Sequence, residues 1–164
     1  SDLYVRDSVT GLYNRMGYQK LSISYFTIMR EKKMPVLVMF IDLDRLKYIN
    51  DTFGHEYGDF AIVSIAKAML KHCDADAIAA RTGGDEFIVL EGAKDEESGR
   101  VLAQKIRTEL SKTQRAMQLP FDLSASIGAV VAHPGEENVL ESYVKRAEML
   151  MYEEKAEKKV SRDS

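Results

Sequence analysis

This 164-residue chain lacks a second cysteine: Cys73 stands alone, so no intramolecular disulfide can form and a cysteine-based zinc site is excluded. The chain can therefore work in a reducing cytoplasm, without a redox framework. It also lacks a long apolar run. The longest, Met34 to Ile41, falls well short of the roughly 20 residues that span a bilayer, and no signal-peptide pattern opens the chain. Any membrane contact is expected outside this stretch. There is no basic excess either: 23 Lys and Arg against 26 Asp and Glu leave a formal charge of -3, which argues against bulk attraction to nucleic acid or acidic lipid. An anionic ligand would need local lysines or arginines. Internal repeats and low-complexity linkers are absent. What remains is an ordinary globular balance, 45% hydrophobic and 30% charged, with a length that suits one domain over residues 1–164. The start at Ser1, directly before a structured-looking segment, points to a domain excised from a longer protein.

The apolar series Tyr18, Leu21, Tyr25, Ile28 and Met29 has helical spacing behind the turn and cap residues Asp7-Ser8-Val9-Thr10-Gly11. Pro35 then opens Val36-Leu37-Val38-Met39-Phe40-Ile41, a strand-forming run without polar alternation, as expected of a strand buried on both faces. It ends abruptly in Asp42-Leu43-Asp44. Helical spacing returns at Ile62, Ile65, Ala66, Met69 and Leu70. Ala77 to Arg81 and Phe87 to Leu90 flank Thr82-Gly83-Gly84-Asp85-Glu86, which reads as a hairpin whose paired glycines permit positive backbone angles. A helix over Ser98 to Met117, a strand within Phe121 to Val131 and a helix over Leu140 to Lys159 complete the pattern. The hairpin excludes a purely parallel doubly wound sheet, so the expected class is α+β, with helices on a mixed or antiparallel central sheet.

Hard cations such as magnesium take oxygen ligands, and Asp42 at a strand end with Asp85 at a hairpin tip would converge on one if their strands are neighbours. Taken alone, acidic residues at such places more often terminate strands and solvate turns. The three histidines, His55, His72 and His133, have no ligand-like spacing and read as structural or surface residues.

Arg81-Thr82-Gly83-Gly84-Asp85-Glu86-Phe87 contains the five-residue signature of the GGDEF family, and Phe40 to Asp59 resembles that family's second long motif almost position for position. Asp7 to Arg15, Ser126-Ile127-Gly128 and Tyr152-Glu153-Glu154-Lys155 resemble its other blocks, so the resemblance covers essentially the whole chain. It implies a fold similar to the catalytic core of class III nucleotide cyclases. The implied activity is a diguanylate cyclase, joining two GTP into cyclic di-GMP with release of pyrophosphate at the interface of a homodimer. By the same resemblance Asp42, Asp85 and the Leu43 carbonyl hold Mg2+, with Mn2+ able to substitute. Asn50 and Asp59 read the guanine edge, whose N1–H and amine suit a carboxylate acceptor. Lys47 lies by the reacting phosphoryl group, Lys155 and Lys159 grip the triphosphate, Gly83 and Gly84 let the backbone approach it, and Glu86 or Asp85 takes the 3'-hydroxyl proton. An upstream sensory or dimerising domain and a cytoplasmic setting belong to the same implication.

The chain departs from the family in places. Asp74 and Ala77 occupy the positions of the usual Arg-x-x-Asp product-inhibition site, so that site is expected to be missing. Where the family usually has Ala-Lys and then Gly-Arg, this chain has Glu154-Lys155 and then Lys158-Lys159, so one phosphate-binding arginine becomes Lys159 and its bidentate fork is lost. Arg45 and Leu46 replace the usual aromatic or apolar residues, and Thr82 a bulkier one. Two other readings stay open: a catalytically inactive GTP-binding regulatory module of the same fold, and a structural dimerisation module, which offers no reason to keep Asp42, Asn50, Asp59 and Asp85 together.

Overall fold

The computed structural model describes residues 4–163. After a short bridged segment come α1 (Arg15–Glu31), β1 (Val36–Leu43), α2 (Leu46–Phe53), α3 (His55–His72), β2 (Ile78–Arg81), β3 (Glu86–Gly92), α4 (Ser98–Ala116), β4 (Ala125–Ala132) and α5 (Leu140–Asp163). The strands form one sheet in the order β2-β3-β1-β4, and every ladder in it is antiparallel. The mixed option is thereby corrected: the parallel pairing that appears is an isolated bridge, Tyr13 to Ala80. Because β3 is antiparallel to both β1 and β2, the latter two run parallel with β3 between them, a split βαβ arrangement.

All eight residues of β1 are buried, as the absence of polar alternation predicts. Successive side chains point to opposite faces of the sheet. Leu37, Met39, Ile41 and Leu43 join the core beneath α3 and α4, with Ile65, Met69 and Ile106. Val36, Val38 and Phe40 join the core beneath α1 and α5, with Phe26, Tyr143 and Met151. Each such large side chain contributes about 1.5–3 kcal/mol when fully buried. The same alternation carries Asp42, and Asp44 just beyond the strand, onto the α1 and α5 side, where the site forms.

Four expectations need correction. In α1 the buried stripe is Ser22, Phe26 and Met29, while Leu21 and Ile28 are exposed, because the stripe that packs is displaced from the one apolar residues alone suggest. Leu70 is likewise exposed on α3. The helix α2 is additional to the expected elements: Leu46, Ile49 and Phe53 keep helical spacing, but over eight residues with Ile49 alone buried the stripe is too short to stand out. Gly54, at φ +99°, makes the sharp break between α2 and α3 that a side chain would strain. Finally, Gly83 and Gly84 do not use positive backbone angles; among described glycines Gly11 and Gly54 do.

Candidate metal and nucleotide site

Asp42 is the penultimate residue of β1, and the β1–β3 register sets it opposite Glu86, the first residue of β3. The ladder continues for one more bond, the Leu43 amide donating to the Asp85 carbonyl at 2.9 Å. In an antiparallel ladder a residue's amide and carbonyl point to the same flank, so the Leu43 carbonyl faces the Asp85 side as well. The result is that carboxylate oxygens of Asp42, Asp85 and Glu86 all lie within 4.8 Å of one another. The acids disfavour one another's charge: burial pushes Asp42 up to about 6, against the pull of Lys155 and with a further push from Asp85. Glu86 is raised too, by burial and then by Asp85 and Glu148. Clustered carboxylate oxygens at the end of the two central strands suit a hard, oxygen-seeking divalent cation, which would relieve that repulsion.

The turn that carries Asp85 is pinned from three sides. The Thr82 amide donates to the Glu86 carbonyl at 3.0 Å, the Arg15 guanidinium to the Thr82 carbonyl at 2.6 and 3.0 Å, and the Arg81 guanidinium to the Gly84 carbonyl at 2.8 and 3.1 Å. Arg81 is in turn paired with Asp7 at 3.3 Å. Asp7 itself caps the Thr10 amide at 2.9 Å, so the opening Asp7-to-Arg15 block is a brace for the hairpin. A Cβ on Gly83 would lie 3.0 Å from Glu86 Oε2, so glycine there leaves the Glu86 carboxylate its place.

The cationic side of the site comes from α5. A Cβ on Gly128 of β4 would lie 2.0 Å from the Ala147 carbonyl oxygen and 2.5 Å from the Met151 nitrogen, so only glycine lets the backbone of α5 lie so close to the sheet. Lys155 Nζ then reaches Asp42 Oδ1 at 3.1 Å and Asp44 Oδ1 at 3.7 Å. One turn on, Lys158 Nζ donates to Asp44 Oδ2 at 2.7 Å and to the Ala125 carbonyl at 2.8 Å. Asp44 also accepts from the hydroxyls of Ser124 and Ser126, each at 2.7 Å. Burial alone would raise the Asp44 carboxyl, but the bonds from Lys158, Ser126 and Ser124 outweigh it and hold the group below the usual range. Beside the two lysines opens a cavity of about 440 Å³ lined by Asp44, Arg45, Tyr152, Lys155, Lys159 and Arg162 among others.

Asn50 and Asp59 sit on the two helices that follow Asp44. A Cβ on Gly58 would lie 1.7 Å from Asn50 Oδ1, so glycine at that position is what lets the Asn50 amide lie against the start of α3. Asp59 is exposed. Lys47 is not brought to the acids: its side chain is 90% exposed and paired with Asp51 at 2.9 Å along the outside of α2. The motifs do not single out Asp44, Ser124, Ser126 or Lys158 as contributors. Two spacings point to the first and last of these, since Asp42 and Asp44 share a strand face at i, i+2, and Lys155 and Lys158 share a helix face at i, i+3. Histidine offers nothing to the cluster: His72 is paired with Glu109 and His133 with Glu96.

The profile of the family described as "Diguanylate cyclase, GGDEF domain" matches residues 4–161. "Diguanylate cyclase VdcA" of Vibrio cholerae serotype O1 is 34% identical over 153 residues, 91% of this chain and 43% of that protein. "Cyclic di-GMP phosphodiesterase PdeR" of Escherichia coli K12 is 32% identical over 146 residues, 89% of this chain and 22% of that protein. The crystal structure of a sensory box/GGDEF family protein from Caulobacter crescentus CB15 superposes with a TM-score of 0.74 at 29% identity, covering 93% of this chain and 99% of that one. The chain thus spans less than half the length of VdcA or PdeR.

Proposed function

From the premise that this chain belongs to the GGDEF family and has its fold, we propose that it is a diguanylate cyclase domain that condenses two GTP into cyclic di-GMP and pyrophosphate. The observation that carries this is the convergence of Asp42, Asp85 and Glu86 within 4.8 Å, with Asp42 paired at 3.1 Å to Lys155, which lines a cavity together with Lys159 and two arginines. That is the charge distribution a metal triphosphate requires: oxygen ligands for the cation and lysines and arginines for the phosphates.

Asp42, Asp85 and the Leu43 carbonyl hold Mg2+, or Mn2+ in its place, with Glu86 at the margin of the set. The bound ion would supply Lewis-acid stabilisation of the charge that develops on the phosphoryl oxygens. Lys155 and Lys159 grip the triphosphate, while the leading amides of α2, which have no side-chain cap, follow closely after Asp44 in the chain. Asn50 and Asp59 read guanine, the carboxylate accepting from N1–H and the exocyclic amine that adenine lacks. Gly83 and Gly84 keep side chains clear of the phosphates. Of the two acidic residues of the signature, Glu86 is better suited to accept the 3'-hydroxyl proton, because burial and Asp85 raise its proton affinity toward the working pH. Lys47 is long and free enough to swing from Asp51 to the reacting phosphoryl group. Each subunit of a homodimer holds one GTP, and each 3'-hydroxyl attacks the α-phosphate carried by the partner, expelling pyrophosphate.

The greater length of VdcA and PdeR supports a setting in which sensory or dimerising segments control this module, and GTP as substrate suits a cytoplasmic one. Among the described residues no helix is long and apolar enough to cross a membrane. The match to PdeR, named for the opposite activity, supports a second reading: a GTP-binding regulatory module without turnover.

Product analysis decides between the two. The domain at high concentration is incubated with GTP and Mg2+ beside an Asp85→Ala control, with GTP-binding titrations in parallel. Cyclic di-GMP that disappears in the control is the expected result. GTP binding without product, even when a fused coiled coil enforces dimerisation, would put the regulatory reading in place of the catalytic one.

A further inference from the structure

Two of the three residues by which the C-terminal helix departs from the family pattern, Glu154 and Lys158, belong to one ion network. Arg107 of α4 donates to both carboxylate oxygens of Glu154 at 2.6 and 2.9 Å. Glu154 lies 3.3 Å from Lys158 Nζ, and Lys158 reaches Asp44 at 2.7 Å. Asp44 is closed off by Ser124 and Ser126. With a lysine rather than a glycine at 158, α5 also continues as helix to Asp163. The network stands directly beside the acid cluster, because the next lysine on the same face, Lys155, spans Asp42 at 3.1 Å and Asp44 at 3.7 Å.

Lys155 therefore has two carboxylates within reach, and which one claims it determines what it is free to do. Asp44 already has a shorter bond to a lysine of its own. A cation entering at Asp42 displaces the Lys155 ammonium, and Asp44, already neutralised, has little hold on it. The ammonium then turns to the phosphates of a nucleotide. Were Lys158 absent, the buried charge of Asp44 would capture Lys155 instead, since an unpaired buried carboxylate is strongly disfavoured.

We propose that Lys158 is a positioning residue for nucleotide binding: by standing as the dedicated counterion of Asp44, it reserves Lys155 for exchange between Asp42 and the nucleotide phosphates. This rests on the reading of Asp42 as a metal ligand and Lys155 as a phosphate ligand. The exchange has a signature that simple loosening of the fold does not share, because removing Lys158 moves two affinities in opposite directions. Lys155 leaves Asp42 for Asp44, which frees Asp42 for a metal and takes a cation away from the phosphates.

The test is a pair of titrations. Nucleotide-free protein is titrated with Mn2+, followed by the electron paramagnetic resonance of the free ion, and a non-hydrolysable GTP analogue is then titrated at saturating Mn2+. Lys158→Met is expected to bind Mn2+ several-fold more tightly and the analogue about tenfold more weakly, the order of one partly exposed charge pair gained or lost. Lys158→Arg should behave as wild type, and the double variant Asp44→Asn/Lys158→Met should recover analogue affinity because nothing then captures Lys155. If Lys158→Met weakens both ligands, or changes neither, the assignment of Lys158 is overturned. An Asp42→Asn control that binds Mn2+ as wild type does would overturn the metal-site reading and this inference with it.

Discussion

Asp42 and Asp44 stand two residues apart on one side of the sheet, each only 6% exposed, yet the protein treats them in opposite ways. Around Asp44 everything is satisfied: two hydroxyls and an ammonium bond it, and its carboxyl stays below the usual range. Around Asp42 there is one shared lysine and two further carboxylates, and the group is pushed up to about 6. Equal burial thus yields one carboxylate saturated with partners and one in competition with its neighbours. Partners decide which is which, since a buried charge with complete hydrogen bonding is tolerated and one without it gains by binding something.

The sharpest way to break that contrast is Asp44→Ala, which takes the acceptor from the hydroxyls of Ser124 and Ser126 and leaves Lys158 only Glu154 and the Ala125 carbonyl. A loss of about 3–5 kcal/mol in urea unfolding is expected, from two hydroxyl bonds to a charged acceptor at about 1.5–3 kcal/mol each. Gly128→Ala attacks both regions at once by pushing α5 off the sheet. A cost of about 3 kcal/mol, at the upper end for overpacking, should appear in the same measurement, along with weaker Mn2+ binding.

Asp42→Asn should do the reverse and stabilise the metal-free protein at pH 7.5 by about 3 kcal/mol, given a shift from 3.8 to about 6 at 1.36 kcal/mol per unit. The sign follows from the raised pKa: the folded state binds the proton more tightly than the unfolded one, so ionised Asp42 weakens the fold. That penalty grows as pH rises from about 4 to 6 and is constant above. Asp44 has the opposite sign, its stabilisation being present above the ordinary aspartate range and lost as pH falls through its lowered value. Thermal melts of Asp42→Asn and Asp44→Asn against pH will show whether the slopes separate in this way. Asp42 also predicts that Mn2+ affinity falls as pH drops below 6, because the ion must then displace a proton. The smallest effect is expected at Lys47, where Lys47→Ala should leave the melting temperature unchanged while lowering cyclic di-GMP formation, since its ion pair with Asp51 lies on the exposed face of α2.

Much of this architecture is legible in the order of the residues. The unbroken apolar run of β1 announces a strand buried on both faces, and acids directly after it announce a place where a core opens to solvent. The Gly83-to-Phe87 signature and the Asp42-to-Asp59 motif name the candidate ligands. Less legible are α2, whose eight residues bury one side chain, and the turn geometry at Gly83 and Gly84, which is held by Arg15 and Arg81 rather than by left-handed glycines. The buried stripe of α1 departs from its apolar spacing because Ser22 takes a core position and Leu21 and Ile28 do not.

By itself the sequence determined the local facts: which segment is a strand, where it stops, which residues carry charge, and that the family's chemistry is spelled out in order along the chain. Only the tertiary structure decided how those charges pair. Ser124 and Ser126 meet Asp44 because β4 runs antiparallel beside β1, and Lys155 and Lys158 meet the two aspartates because Gly128 lets α5 lie against the sheet. Pairing across about 80 to 114 residues of chain is set by strand register and close packing, and neither is written in the spacing of the residues it brings together.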